Sequence, residues 1–286
     1  MAMRVAIVGL GLIGGSLGLA LKRAGWRGAE IVGYVRKSET GQRALKSKTV
    51  DRFELSLEKT VRNADVVVIA VPILAIKEIF AQIAPHLPDG CIVTDTASTK
   101  FHVMQWAHEL LPPRVSFIGG HPMAGKEMFG IGAADADLFH NSVYCLAQDK
   151  QAAHSAMLVV KEMVDAMGAT PMCLDAQEHD NLVAGISHLP LLLSVALTLV
   201  TTQSSSWLPM SHLASSGYRD LTRLASGNPE INTGICLSNK AAVVHWIDAF
   251  TKELRGLREM VSKGDDEIQR ILTMASEARK KWLEKH

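Results

Sequence analysis

The sequence lacks an excess of charge of either sign, because its 286 residues include 30 basic and 29 acidic side chains and carry a formal net charge of +1. This balance gives no electrostatic reason to expect a nucleic-acid or anionic-membrane partner. Paired cysteines are lacking too: the four cysteines lie far apart and form no CxxC motif, at Cys91, Cys145, Cys173 and Cys236. We therefore expect a reduced, cytoplasmic compartment and no metal site.

The sequence shows neither a leader segment nor a typical membrane span. The first predicted strand starts at Arg4, so no signal peptide is expected. Residues 182–200 contain no formal charge and are long enough to cross a bilayer. They include His188 and Pro190, however, and basic flanks are missing, so we expect a helix buried in a core or a subunit interface.

The composition is typical of a packed globular chain, with 48% apolar and 21% charged residues. In the first half, short apolar runs alternate with helix-like segments, which predicts an α/β fold with a doubly wound parallel sheet. The predicted strands are residues 4–8, 30–34, 65–71, 91–95, 115–119 and 143–147. The predicted helices are residues 13–24, 39–46, 74–84 and 101–111.

The pattern changes near residues 170–176, and beyond that point nearly every segment predicts helix. We therefore predict two domains, residues 1–172 and 173–286, of which the second is all-helical. Its apolar stripes exceed what one small bundle can bury, so we expect a homodimer formed through these helices.

A GxGxxG motif directly follows the first predicted strand and opens a helix. It comprises Gly9, Gly11 and Gly14, with Leu12 and Ile13 between the last two glycines. The glycines let the backbone approach a pyrophosphate, and the helix N-terminus supplies N–H donors and a positive dipole. Because strand, glycine turn and helix occur in this order, the motif predicts a Rossmann dinucleotide site.

The residues after the second strand indicate which dinucleotide is bound. A carboxylate there usually binds the ribose 2′-OH of NAD, whereas an arginine suits the 2′-phosphate of NADP. This sequence has no carboxylate at that place and continues with Arg36, Lys37 and Ser38. We therefore predict NADP, with NAD possible if the two cations only form a solvated turn. Val71 and Pro72 are expected to form a turn near the nicotinamide.

Three polar clusters lie where predicted elements end, at residues 94–100, 119–127 and 178–190. Ligands of open α/β sheets bind beyond the carboxyl ends of the strands. The first two clusters are therefore expected to face the nicotinamide.

Taken in order, the motifs resemble those of the prephenate/arogenate dehydrogenases of tyrosine biosynthesis. They read GxGxxGxS at 9–16, DxxSxK at 95–100, GGHPMAG at 119–125 and HDxxxxxxSHLP at 179–190. The resemblance implies oxidative decarboxylation of prephenate to 4-hydroxyphenylpyruvate, or of arogenate to tyrosine, with hydride transfer to NADP or NAD.

The resemblance also implies roles for single residues. His121 corresponds to the histidine that bonds the substrate 4-hydroxyl and assists removal of its proton, a task that suits a neutral imidazole. Ser98 corresponds to the serine that shares this contact, and it could also cap the following helix. Glu127 corresponds to an acidic residue at the site entrance, or is a solvated loop carboxylate. Asp95 is expected to organise its turn, and Lys100 could cap or orient a neighbour but is assigned no role.

His179 and His188 lie nine residues apart, which on a continuous helix places them on opposite faces. We therefore expect one of them to face the cleft and the other to pack elsewhere. By the resemblance, His179 is the substrate-side candidate, whereas His188 is either structural or a further substrate ligand.

Arginine is the natural partner of the substrate's ring carboxylate, because its guanidinium can bind bidentately. Arg219 corresponds best to the family position, and Arg223, about one helical turn on, could share its face. Alternatively, one of the two pairs with Asp220 or Glu230 on the surface. Many prephenate-using members read SHLPH, whereas Leu191 takes the place of the last histidine here, which favours arogenate.

Two other functions fit parts of the sequence. The 3-hydroxyacid dehydrogenases also join a Rossmann domain to a helical one, but they carry a catalytic lysine on a helix of the second domain. No lysine lies between Lys161 and Lys240 here. A non-enzymatic NADP sensor would not need Ser98, His121 and Arg219 together.

Overall fold

The computed structural model describes residues 3–126, 128–149 and 152–284. Within these residues, eight strands form one sheet in the order β3-β2-β1-β4-β5-β6-β7-β8. The strands are β1 (Arg4–Val8), β2 (Glu30–Tyr34), β3 (Arg52–Glu54), β4 (Val66–Ile69), β5 (Ile92–Asp95), β6 (Ser116–Pro122), β7 (Val143–Gln148) and β8 (Thr170–Cys173).

Helices cover the sheet and make up most of the chain after β8. They are α1 (Leu12–Ala24), α2 (Ser38–Lys46), α3 (Leu57–Val61), α4 (Ile73–Ile83), α5 (Phe101–Leu110), α6 (His154–Ala166), α7 (Ala176–Val183), α8 (Leu189–Thr202), α9 (Trp207–Leu213), α10 (Ser216–Thr222), α11 (Pro229–Ser238), α12 (Lys240–Lys263) and α13 (Glu267–Leu283). A π-helical turn, Ala184–His188, joins α7 to α8 without a break.

The centre of the sheet is β1, which pairs in parallel with β2 on one side and with β4 on the other. The strand order therefore reverses at β1, and the carboxyl ends of β1 and β4 flank a topological switch point. Open α/β sheets bind their ligands at such points. The predicted doubly wound α/β fold is confirmed.

The core lies on both faces of the sheet, because successive side chains of a strand point to opposite sides. Val5 and Ile7 of β1 pack in the cluster that includes α1 and α6, whereas Ala6 and Val8 pack in the cluster that includes α4 and α5. All four side chains are fully buried. Each buried Val or Ile side chain contributes roughly 1.5–3 kcal/mol, so the double layer holds the strand ends firmly.

The sheet departs from the all-parallel prediction at its far edge, where β7 runs antiparallel to β6. A parallel return needs a crossover, usually a helix. The described part of the β6–β7 connection packs on α1 instead: Asp135 N donates to Ser16 Oγ at 2.9 Å, and a Cβ on Gly15 would lie 2.8 Å from the Ala134 side chain. The connection therefore packs against α1 and does not cross the sheet, so that β7 returns antiparallel to β6.

Two regions of the chain can be described separately as compact units, the described residues up to Lys240 and those from Ala241 onward. The division predicted between residues 172 and 173 stays a prediction. The helical run Ala176–Thr202 is long and apolar enough to span a membrane by length and composition, and a third of its most apolar window is buried. The same run carries the buried side chains of His179, Asp180 and His188.

Candidate active site

The glycine turn after β1 has no room for larger residues at two of its positions. Gly9 has a φ of +103°, and a Cβ there would lie 2.4 Å from the Ala70 carbonyl oxygen and 2.9 Å from the Val71 side chain. A Cβ on Gly14 would lie 2.0 Å from the Gly9 carbonyl oxygen. The turn is therefore packed directly against the residues that follow β4.

The third glycine of the turn faces open space. Gly11 is the N-cap of α1, and a Cβ built on it meets nothing within 4 Å. The first N–H groups of a helix, here those of Leu12 and Ile13, have no intrahelical partner, and the first turn of α1 contains no acidic residue. This open, positively polarised end of a helix fits a pyrophosphate.

The residues after β2 present two cations to solvent. Arg36 and Lys37 are exposed, and neither side chain has a hydrogen-bond or ion-pair partner among the described residues. Ser38 is the first residue of α2. Pro72, after β4, is the N-cap of α4. These positions lie at the carboxyl edge of the sheet, as the sequence predicted.

Asp95 and Lys100 form a buried ion pair that joins β5 to β6. The carboxylate accepts hydrogen bonds from the Lys100 ammonium, from Ala97 N at 2.8 Å and from Gly120 N at 3.0 Å. The ammonium also donates to the Gly120 carbonyl oxygen at 2.6 Å. Both side chains are fully buried. Breaking such a pair by removing one partner typically costs about 3–5 kcal/mol, so the pair fixes the backbone next to His121.

Asp95 thus organises its turn, as predicted, whereas the partner role of Lys100 was not predicted. Burial lowers the pKa of Lys100, and the Asp95 carboxylate opposes this shift. The sequence did contain a signal for this ion pair. The lysine follows the strand-ending aspartate by five residues, and the segment around both is otherwise apolar and rich in hydroxyl groups.

His121 lies within β6 rather than in the loop after it, because the strand extends to Pro122. Its side chain is 8% exposed. The Nδ1 atom lies 2.9 Å from Nε2 of His179, and the two rings meet edge to face at 75°. Burial holds the pKa of His121 well below its ordinary value, and the nearby imidazoles and the Lys100 ammonium lower it further. His121 is therefore a neutral imidazole near pH 7.

His179 uses both ring nitrogens inside the protein. Its Nδ1 lies 2.8 Å from Oδ1 of Asp180, while its Nε2 faces His121. Only 1% of the side chain is exposed. No ring nitrogen remains for the direct substrate contact predicted for this residue.

Asp180 caps a helix that is distant in sequence. Its Oδ1 accepts a hydrogen bond from Lys100 N at 2.7 Å, and its Oδ2 accepts one from Phe101 N at 2.9 Å. These N–H groups open α5, whose N-cap residue is Lys100. The alternative role of Ser98 as the N-cap is therefore wrong, since the capping acceptor comes from α7. Ser98 is half-buried in the turn between Asp95 and Lys100.

The prediction that His179 and His188 lie on opposite faces of a continuous helix is wrong. The π turn Ala184–His188 widens the helix between them. A proline ring clashes with the carbonyl four residues earlier, and the wider turn ahead of Pro190 relieves this clash. Both imidazoles are buried in one polar cluster around His121, since both lower the pKa of that residue.

Asn239 connects the two ends of this cluster. Its Nδ2 donates to the Asp180 carbonyl oxygen at 2.7 Å and lies 3.4 Å from Nδ1 of His188. Nε2 of His188 is buried and has no hydrogen-bond partner among the described residues. Burial lowers the pKa of His188 to about 4. His188 therefore offers a neutral nitrogen that is free to bind a ligand.

The two candidate arginines lie further along the chain. Arg219 on α10 is exposed, and its side chain has no hydrogen-bond or ion-pair partner among the described residues. Arg223 is also exposed and opens the 3₁₀ turn Arg223–Ser226. The Ser194 hydroxyl accepts a hydrogen bond from Ala225 N at 2.9 Å, which holds this turn against α8.

The remaining predicted positions have different surroundings. Leu191 is buried and lines a largely apolar cavity of about 360 Å³ between α8 and α11. Glu127 lies outside the described residues. In the part of the chain that is described, no group of three or more His, Cys, Asp or Glu side chains could hold a metal ion.

Comparison with known proteins identifies the family. Models for the nucleotide-binding and dimerization domains of prephenate dehydrogenase match residues 17–172 and 175–274. The prephenate dehydrogenase of Lactococcus lactis subsp. cremoris is 36% identical over 267 residues, which cover 92% of this chain and 73% of that protein.

Two solved structures are similar along nearly the whole chain. Synechocystis arogenate dehydrogenase is 31% identical with a TM-score of 0.83, and the match covers 98% of this chain and 100% of that chain. Prephenate dehydrogenase from A. aeolicus, solved in complex with hydroxyphenyl propionate and NAD+, is 27% identical with a TM-score of 0.90, covering 98% of both chains. Since the two family models together match most of its length, the chain belongs to the prephenate dehydrogenase family.

Proposed function

We propose that His121 is the base that removes the 4-hydroxyl proton of the substrate in this NAD(P)-dependent dehydrogenase of tyrosine biosynthesis. The reaction of the family is the oxidative decarboxylation of prephenate or arogenate. The observation that carries the proposal is the buried, neutral imidazole of His121 at the carboxyl edge of the sheet that also bears the glycine turn. A base must be unprotonated at working pH, and this environment keeps it so.

The chemistry follows from the substrate. A nicotinamide cofactor held at the glycine turn of Gly9, Gly11 and Gly14 would accept the hydride that leaves C4 of the cyclohexadienol. His121 takes the hydroxyl proton, so that the C4 oxygen becomes a ketone conjugated with the ring. The electron pair of the bond to the ring carboxylate then moves through the ring to the C4 oxygen as CO₂ leaves. The phenolate that results takes a proton back from the His121 imidazolium and becomes the phenol. Formation of the aromatic ring makes the step effectively irreversible.

Ser98 is proposed to share the 4-hydroxyl contact. It lies in the turn that the Asp95–Lys100 pair holds against Gly120, the neighbour of His121. Its hydroxyl can both donate and accept a hydrogen bond. His188 is proposed as a further substrate ligand, since its buried Nε2 has no partner among the described residues.

The substrate carboxylate is proposed to bind Arg219 or Arg223. Arg219 is exposed and has no ion-pair partner among the described residues. A guanidinium binds a carboxylate bidentately, which fixes its orientation.

NADP is proposed as the preferred cofactor. The glycine turn fits a pyrophosphate, and Arg36, Lys37 and Ser38 follow β2 where a carboxylate would favour NAD. The A. aeolicus relative was solved with NAD+, so the preference for NADP is a specific property proposed for this chain.

Arogenate is proposed as the preferred substrate. Leu191 replaces the second histidine of the SHLPH motif, and its side chain is buried and apolar. It offers no hydrogen bond to the side-chain ketone of prephenate. Arogenate carries an amino group at that carbon, and the relative in Synechocystis is an arogenate dehydrogenase.

A homodimer in a cytoplasmic compartment is also proposed. Large apolar side chains are exposed on several helices after residue 175, among them Leu199, Val200, Leu208, Leu213 and Leu254. A second copy of the chain would cover them, and the family model matched there is a dimerization domain.

The test is the absorbance of the reduced cofactor with prephenate and with L-arogenate, each with NADP and with NAD. We expect turnover with the highest kcat/KM for arogenate and NADP. His121→Asn should lower kcat by about 10²–10⁴-fold with unchanged cofactor affinity, whereas the exposed His140→Asn should leave kcat unchanged. Near-normal turnover of His121→Asn would overturn the role of His121.

A further inference from the structure

The hydrogen bonds around Asp180 have only one consistent direction. A carboxylate accepts and cannot donate. Oδ1 accepts from Lys100 N, so the contact with His179 requires a proton on Nδ1 of His179. In this Nδ1–H tautomer of His179, Nε2 carries a lone pair.

The contact with His179 also fixes the position of the proton on His121. Nε2 of His179 lies 2.9 Å from Nδ1 of His121, and an acceptor on one side requires a donor on the other. The proton of the neutral His121 ring is therefore on Nδ1. Its Nε2 carries the lone pair and points away from this chain of hydrogen bonds.

From this we infer that His179 and Asp180 are positioning residues, which hold His121 in the Nδ1–H tautomer and leave Nε2 free to take the substrate proton. The inference rests on the proposed role of His121 as the base. When Nε2 accepts the proton, both nitrogens of His121 carry hydrogen, and the positive charge is stabilised by the Asp180 carboxylate through His179. A carboxylate–histidine pair has the same effect on the base of serine proteases.

The far end of the chain of hydrogen bonds is held by the backbone. Asp175 caps α7, because its Oδ1 accepts from Gln177 N at 2.8 Å and from Glu178 N at 3.2 Å. Asn239 holds the Asp180 carbonyl oxygen at 2.7 Å. The carboxylate is also bonded to the first N–H groups of α5. Asp180 therefore has a fixed position, and the orientation of both rings follows from it.

The charges around His121 show why an anion is needed. The Lys100 ammonium between β5 and α5 disfavours a second positive charge, and burial does the same. Asp95 is paired with Lys100. His188 from the π turn is neutral, and Cys145 is the partner of His121 on β7. Asp180 of α7 is thus the carboxylate that can offset a charge on His121.

The first measurement is nitrogen NMR of the histidine rings in the substrate-free enzyme, labelled with ¹⁵N-histidine. Long-range proton–nitrogen correlations distinguish the two neutral tautomers. We expect Nδ1–H for both His121 and His179 near pH 7. An Nε2–H tautomer for His121 would overturn the inference. No turnover is involved, so this result is independent of the proposed reaction.

The second measurement compares two substitutions of His179. The oxygen of His179→Gln can accept the Nδ1–H of His121, whereas His179→Leu offers no acceptor. We expect kcat to fall about 10²–10³-fold in the Leu variant and to recover to within about tenfold of wild type in the Gln variant. The Kd for NADP should be unchanged in both. Equal kcat values for the two variants would contradict a role in setting the tautomer.

The control is Ser238→Ala, which removes a buried hydrogen bond to Thr99 of 2.8 Å without touching the three residues. We expect it to lower stability and to leave kcat near the wild-type value. If His121→Asn proved fully active while the tautomers were as expected, the proposed function would fail and the positioning would stand. A kcat in Ser238→Ala as low as in His179→Leu would instead mean that loosened packing explains both.

Discussion

At the scale of single residues, His188 makes the stability of the protein depend on pH. Burial lowers its pKa from 6.5 to about 4 in the folded chain, whereas the unfolded chain keeps the ordinary value. Between these values only the unfolded chain binds the proton. As far as it depends on His188, the free energy of unfolding therefore has its full value above pH 6.5 and falls as the pH drops towards 4. At about pH 5 we expect protonation of His188 in the unfolded chain to lower the free energy of unfolding by on the order of 2 kcal/mol.

Urea unfolding of wild type and His188→Gln at about pH 7.5 and about pH 5 measures this effect. The variant should lose less stability on acidification than wild type, by the same 2 kcal/mol or so. His140→Gln removes an exposed histidine and should keep the wild-type pH dependence. Identical acid losses in wild type and His188→Gln would show that His188 is not the group responsible.

Arg36 tests the cofactor preference. Its guanidinium is exposed and has no partner among the described residues, so Arg36→Ala should perturb the fold very little. A lost contact to the 2′-phosphate is expected to raise the KM for NADP at least tenfold while changing the KM for NAD less than twofold. Steady-state kinetics with both cofactors decide the matter. Equal effects on the two KM values would refute the assignment.

Candidate ligand-binding residues were easier to predict from the sequence than the residues that support them. His121 and the glycine turn were readable because each lies in a short motif with a chemical requirement. The Asp95–Lys100 pair and the contacts of Asp180 were not, since they join residues that only the fold brings together. The sequence did contain a signal for the contacts of Asp180, which follows a histidine at the start of an apolar helical run. A carboxylate buried in such a run needs hydrogen-bond partners.

At the scale of elements, the glycine turn allows two neighbouring substitutions to be separated. Gly11→Ala adds a methyl group that meets nothing within 4 Å, whereas in Gly14→Ala it would lie 2.0 Å from the Gly9 carbonyl oxygen. We expect Gly11→Ala to keep the wild-type Tm and to weaken NADP binding at least tenfold, because the methyl group obstructs the approach of the pyrophosphate.

Gly14→Ala should instead lower the Tm by several degrees, because the backbone must shift to accept the methyl group. Thermal unfolding and a fluorescence titration with NADP give both quantities for each variant. Unchanged NADP affinity in a folded Gly11→Ala would place the pyrophosphate elsewhere.

Element prediction worked where the hydrophobic period was long enough to be read. The central strands and α1, α2, α4 and α5 were found within a few residues of their bounds. The three-residue β3 and the five-residue α3 are too short to show a period. The π turn was not predicted because helix periodicity assumes a constant rotation per residue, and its consequence was the wrong placement of His179 and His188.

At the scale of the whole molecule, the exposed apolar side chains predict self-association. We expect sedimentation equilibrium to give a dimer at micromolar concentration. Val200 on α8 is 69% exposed, and Val200→Lys should shift the equilibrium towards monomer, since a charge buried in an interface is costly. Leu55→Lys is the matched control, because Leu55 is 56% exposed and lies outside the helical region. If the wild-type protein sediments as a monomer at micromolar concentration, the prediction of self-association is wrong.

The capping of α5 by Asp180 limits how this enzyme can be divided or recombined. The carboxylate that accepts the hydrogen bond from Lys100 N, at the start of α5, belongs to a residue 80 positions later in the chain. A chimera that kept the dinucleotide-binding half and took its helices from a dehydrogenase without a histidine and an aspartate at positions 179 and 180 would therefore have an uncapped α5 and a His121 without its orienting partner. The residues for cofactor binding and for proton removal lie in different segments of the sequence, but the folded structure makes them depend on each other. Any exchange of domains therefore has to keep residues 175–180 together with the nucleotide-binding half.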